Sequence, residues 1–135
     1  MSLRSLPSIV LAFILYNVVV FASGTEALNS ALFELHMLSG GDWRFTIGDL
    51  IVVFTMFLLF AEIVKSTYTS TTSLVDHGLS MLVFIACIVE FLLVPQAATS
   101  TFFIIMVATA IDVVAGFTIG IRVARRDLAI GGGID

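Results

Sequence analysis

Of 135 residues, 59% are hydrophobic and 12% are charged, with a net charge of −4 and a mean hydropathy of +1.14, whereas a soluble domain carries about 25% charged residues. Water is therefore excluded as the main solvent, and six basic residues against ten acidic ones leave no basic surface for a nucleic-acid partner. The lone cysteine, Cys87, cannot form an intrachain disulfide and reads as a small core residue.

Four apolar runs follow one another: Leu6 to Ala22, Thr46 to Lys65, Leu74 to Val94 and Thr101 to Ile121. Each approaches the ~20 residues that cross a hydrocarbon core. The expected fold is all-α, a single domain over 1–135 with four transmembrane helices near 6–22, 46–65, 74–94 and 101–121 in a bundle. A short amphipathic helix in the outer loop completes it. The first run is longer than the roughly 7–15 residues of a signal-peptide core and is read as a retained helix.

In that loop, Leu28, Ala31, Leu32, Leu35 and Leu38 recur at helical spacing, which predicts the amphipathic helix. With Glu26 and Glu34 and no lysine, it lacks the basic face that anionic lipid attracts; it lies on the outer surface or covers its neighbours, or it forms a periplasmic lid over a pore. Trp43, after Gly40 and Gly41, suits the headgroup level. Thr46-Ile47-Gly48-Asp49 and Ser73-Leu74-Val75-Asp76 match the S/T-x-x-D/E capping pattern, which gives Asp49 and Asp76 a local task at two helix starts. Between them Glu62 precedes Lys65 by three residues, the spacing of an intrahelical ion pair or of an inner pathway mouth. Ser66 to Ser73, wholly Ser, Thr and one Tyr, predicts that helices 2 and 3 form a tight antiparallel pair.

On helix 3, Asp76, Ser80, Val83, Cys87 and Glu90 share one side and form a semipolar seam suited to protein or water but not to lipid. Pro95 ends that helix, and Thr99 or Ser100 caps the next. Asp112 lies mid-run with no cap to serve, about 15 Å along the helix from Arg122. Thr101, Thr109, Gly116 and Gly120 share its face, and the two glycines make a GxxxG, which permits close helix approach. Asp112 is either hydrogen-bonded glue, with Asn17, Tyr16 or Cys87 as partners, or a protonatable step in an ion route.

Arg4, Lys65, Arg122, Arg125 and Arg126 fall on one side of a four-span topology and Arg44 on the other, so both termini are expected in the cytoplasm of a bacterial inner membrane. His36 and His77 sit in no metal-binding pattern and no phosphate loop occurs; both read as interfacial residues, and no enzyme activity, cofactor or metal is expected.

Glu62-Ile63-Val64-Lys65 after a long apolar run, Leu92-Leu93-Val94 closing helix 3, a short turn, and Arg125-Arg126 after helix 4 resemble the phosphate-starvation-inducible E (PsiE-like) family of small bacterial membrane proteins. The resemblance covers residues 46 to 127. It implies a four-helix inner-membrane fold and carries no established reaction; Glu90 departs from the basic end of helix 3 typical of the family. The functional expectation is a small oligomeric protein that conducts or couples protons or cations through Asp112, Glu90 and Glu62, with Gly116, Gly120, Thr109, Cys87 and Ser80 at helix interfaces. The alternative is a non-catalytic accessory or assembly subunit of a membrane complex. Expected partners are the lipid bilayer and either further copies of the chain or another membrane subunit.

Overall fold

The computed structural model describes residues 6–68 and 73–132. Its elements are α1 (Val10–Ser23), a 3-10 turn (Thr25–Asn29), β1 (Ala31–His36), β2 (Asp42–Thr46), α2 (Ile47–Ser66), α3 (Ser73–Leu93), a second 3-10 turn (Pro95–Ala97) and α4 (Ser100–Gly132). Among the described residues, three helical stretches are long and apolar enough to cross a membrane: Ile47–Ser66, Val75–Leu93 and Ser100–Arg122. The fourth apolar helix, α1, has only 14 residues, about 21 Å, and is shorter than the expected run of 6–22. Pro7 precedes it, and the amides of Val10 and Leu11 bond back to the carbonyls of Pro7 and Ser8 before the helix settles. At its other end Gly24 turns to φ +84°, a conformation that stops a helix and costs glycine little. Large side chains such as Phe57, Phe60, Leu82 and Val114 point outward, an arrangement suited to lipid rather than to water.

The fourth helix is the hub. It packs along α2 on one side and α3 on the other, and 39% of its apolar stretch is buried against 22% and 17% for those two. Among the described residues α2 and α3 barely touch each other, so the expected tight pair of helices 2 and 3 gives way to a sandwich around α4. The reason lies in α4 itself, where Thr109, Asp112, Gly116 and Gly120 are all buried. A narrow stripe of small and polar side chains lets two neighbours approach at once.

At one end of the bundle the core closes on Phe102. Tyr16 meets it edge-on at 5.0 Å, Phe91 stacks on it at 6.2 Å, and Phe13 tilts against it at 6.2 Å. The Tyr16 hydroxyl donates to the Gln96 carbonyl at 2.7 Å and meets Thr99 Oγ1 at 2.7 Å. Thr99 in turn accepts from the Phe102 amide and caps α4. Tyr16→Phe leaves these groups short of a partner at a buried site, a loss of about 1–3 kcal/mol; a lowered thermal midpoint in detergent, with unchanged helicity, is the expected reading.

The outer loop departs from the expected amphipathic helix. Apart from the 3-10 turn around Leu28, it is an antiparallel hairpin pairing Phe33 with Phe45, Glu34 with Arg44, Leu35 with Trp43 and His36 with Asp42. Leu-rich spacing fits a helix, but Phe33 to His36 and Asp42 to Thr46 also alternate apolar with polar, and Ser39-Gly40-Gly41 supplies the turn that decides between the two periods. Gly40 takes φ +92° and its amide bonds to the Met37 carbonyl at 2.9 Å, while the Met37 amide bonds to the Gly41 carbonyl at 2.7 Å. That is a three-residue loop with its glycine at the left-handed position.

The hairpin runs without a linker into α2. Thr46 Oγ1 accepts from the Asp49 amide at 3.1 Å and Asp49 Oδ2 accepts from the Thr46 amide at 3.0 Å, the expected capping box. Thr46→Ala is expected to cost about 1 kcal/mol, measured as a drop in the thermal midpoint, while Thr46→Ser is near neutral. The parallel expectation for Ser73 falls on a side chain outside the described residues.

Candidate functional site

Where the last turns of α2, the first turns of α3 and the middle of α4 converge, polar side chains replace the apolar core. Glu62, Lys65 and Ser66 come from α2, Asp76, His77 and Ser80 from α3, and Asp112 from α4; together they line a cavity of about 10 Å³. That is room for about one water molecule. Glu62 and Asp112 are each only 4% exposed. Their burial demands partners, because a buried charge left unpaired is strongly unfavourable.

Glu62 has them. Lys65 Nζ lies 3.3 Å from Glu62 Oε1, which also accepts the Ser8 backbone amide, so the expected i,i+3 pair forms and also ties the segment before α1 to α2. Lys65 bonds to the Leu6 carbonyl at 3.2 Å as well, and the Ser66 hydroxyl donates to the Glu62 carbonyl at 2.9 Å. Asp112 shares a side-chain hydrogen bond with Ser80 and feels the charges of Glu62 and Lys65. Three buried atoms at this junction, Asp76 Oδ1, His77 Nε2 and Asp112 Oδ2, have no hydrogen-bond partner among the described residues. A buried polar atom left unpaired costs about 1–3 kcal/mol, and all three belong to residues that line this water-sized space.

The antiparallel register of α3 against α4 explains the clustering. Cys87 shares a side-chain hydrogen bond with Thr109, Ser80 meets Asp112, and His77 meets Gly116 and Gly120, in one continuous ladder. The two glycines are the receptacle for the His77 ring: a Cβ on Gly116 would stand 2.9 Å from Nδ1, and one on Gly120 would stand 2.6 Å from Nε2. Phe117 covers the ring at 4.7 Å between centroids. The GxxxG therefore serves a contact within the chain.

Of the expected ion-pathway residues, Asp112 and Glu62 meet at the cavity and Glu90 does not. Glu90 is half-buried near the other end of α3, where it accepts from Asn17 Nδ2 at 3.2 Å. The partners expected for Asp112 are engaged elsewhere: Asn17 with Glu90, Tyr16 with Gln96 and Thr99, and Cys87 with Thr109. Three residues with other expected tasks, Asp76, His77 and Ser66, line the cavity instead. The legible signal for His77 is the glycine stripe itself, since two glycines one turn apart leave a hollow that a bulky ring on the facing helix must fill. Among the described residues no group of three or more His, Cys, Asp or Glu is placed to hold a metal ion.

No family model, no curated protein and no solved structure matches this chain.

Proposed function

We propose that this chain is an integral membrane protein that moves or couples protons, with Asp112 as the protonatable step. The observation that carries the reading is the convergence of Asp76, His77 and Asp112, each with an unpaired buried atom, around a space of about 10 Å³. One water fits there; a hydrated metal cation does not. A carboxyl group next to a single water can take up a proton and pass it on without any ion crossing the space, which favours a proton over a larger cation.

In this reading Glu62 and Lys65 form the mouth on the side of the α2–α3 connection. Further stations lie toward the opposite end: Thr109 and Cys87, then Glu90 with Asn17, then Tyr16 with Thr99. The basic residues on the Lys65 and Arg122 side support a bacterial inner membrane with that side cytoplasmic. A second reading, an accessory subunit that binds a partner helix, is supported by a shallow apolar groove of about 520 Å³ on α4 where the small residues Ala110, Ala115 and Thr118 alternate with Ile111 and Val114. Small residues at a lipid-facing surface favour helix docking.

The test is proton flux followed with a pH-sensitive dye in proteoliposomes under an imposed potential, against protein-free vesicles. Dye response above the vesicle background supports the reading. Background response at verified incorporation removes it and turns attention to the α4 groove.

A further inference from the structure

The β1–β2 hairpin separates its side chains by chemistry. Because residues on a strand alternate between faces, the pairs Phe33–Phe45 and Leu35–Trp43 lie on one face, and Glu34–Arg44 and His36–Asp42 on the other. The first face is a continuous aromatic patch, with Phe33 stacked on Phe45 at 5.0 Å and edge-on to Trp43 at 5.4 Å, and Trp43 edge-on to Phe45 at 5.7 Å. The second is polar and in solvent, with His36 hydrogen-bonded to Asp42 at 2.7 Å and Arg44 ion-paired with Glu34 at 3.4 Å. Phe33, Leu35 and Trp43 are each more than 40% exposed, and Leu38 at the tip is wholly so. Nothing among the described residues covers the apolar face.

Its position says what does. Thr46 is both the last residue of β2 and the N-cap of α2, and the Ile47 amide bonds to the carbonyl of Ser30, just before β1, at 3.0 Å. Both strands are thus fastened to the first turn of a helix long and apolar enough to cross a membrane. A hairpin of this size, about 20 Å long at about 3.3 Å per residue, begins at the level where that helix leaves the hydrocarbon. We propose that the hairpin is a membrane-docking element whose Phe33, Leu35, Trp43 and Phe45 face lies in the interfacial layer of the bilayer that α2 enters, with the polar face toward water. Tryptophan and its aromatic neighbours are the side chains that favour this layer. Arg44, the hairpin's one basic side chain, is paired with Glu34, so apolar contact and not attraction to anionic headgroups drives the docking, and zwitterionic lipid suffices.

Trp43 is the only tryptophan, so its fluorescence reports on the hairpin alone. The full chain is reconstituted in phosphatidylcholine vesicles, washed at alkaline pH to leave inserted protein, and its emission is quenched by lipids brominated at shallow or deep acyl positions and by aqueous iodide. Strong quenching by shallow bromines, weaker quenching by deep ones and little by iodide is the expected result, unchanged when anionic lipid is added. Leu35→Glu is expected to shift Trp43 emission to the red and raise its iodide quenching several-fold. Full iodide access with no bromolipid effect places the hairpin in water and overturns the proposal. Protection from both quenchers that disappears as the protein-to-lipid ratio is lowered overturns it too, in favour of a second copy on the aromatic face.

Discussion

Asp112→Asn is expected to bring dye-detected proton flux down to the protein-free background, a loss of tenfold or more, while incorporation, helicity and the thermal midpoint change little. The asymmetry follows from the environment of the side chain. An amide has the shape of the carboxyl, can keep the contact with Ser80 and adds no bulk to a space of about 10 Å³. It has no titratable proton, so only a proton-handling role is lost. Glu90→Gln, at the Asn17 contact, is the companion measurement: a partial loss places it on the same route, and unchanged flux confines the route to the α2–α3–α4 junction. If Asp112→Asn conducts as well as the parent protein, Asp112 is structural and the protonatable step lies elsewhere.

The second large effect is expected at the glycine receptacle. Gly120→Ala puts a methyl group where the His77 imidazole nitrogen lies 2.6 Å away, closer than side chains tolerate, and the contact is between two packed helices. Overpacking of this kind costs about 1–3 kcal/mol, and Gly120→Leu is expected to prevent α3 from seating on α4. The diagnostic comparison is the double variant. His77→Ala removes the ring that the new methyl strikes, so Gly120→Ala in that background is expected to be nearly neutral, with a coupling of about 1–3 kcal/mol in a double-mutant cycle read from thermal midpoints in detergent. A GxxxG that joined two chains would give no such rescue, and the Gly120→Ala defect would depend on protein concentration instead.

The apolar spans were legible because bilayer crossing imposes length and composition on the chain directly; the limits of α2 and α3 lie within a residue or so of the runs that announced them. The cap at Thr46 was legible for a similar reason, since both of its bonds are made within four residues of sequence. What sequence spacing could not supply was which helix faces which. The short connector after α2 pointed to an α2–α3 pair, yet a connector constrains only the ends of two helices, and the buried stripe on α4 determines the packing. His77 was misplaced for that reason: its neighbours in sequence are interfacial, and its neighbours in space are two glycines some forty residues away. The hairpin was misread through its leucines, whose spacing fits a helix, although the alternation from Asp42 to Thr46 and the glycine pair between the strands carried the better signal.

The central place of α4 also bears on the order of assembly. It follows α2 and α3 in the chain, so both are synthesised before the helix they pack against. During that interval Ser80, Asp76 and His77 have no Asp112, Gly116 or Gly120 to meet, and Glu62 sits on a helix with an open flank. Glu62 already has Lys65 beside it on α2, so the groups that wait are those of α3. The packing of α2 and α3 is therefore completed only by the last helix of the bundle, an order that hydropathy does not reveal.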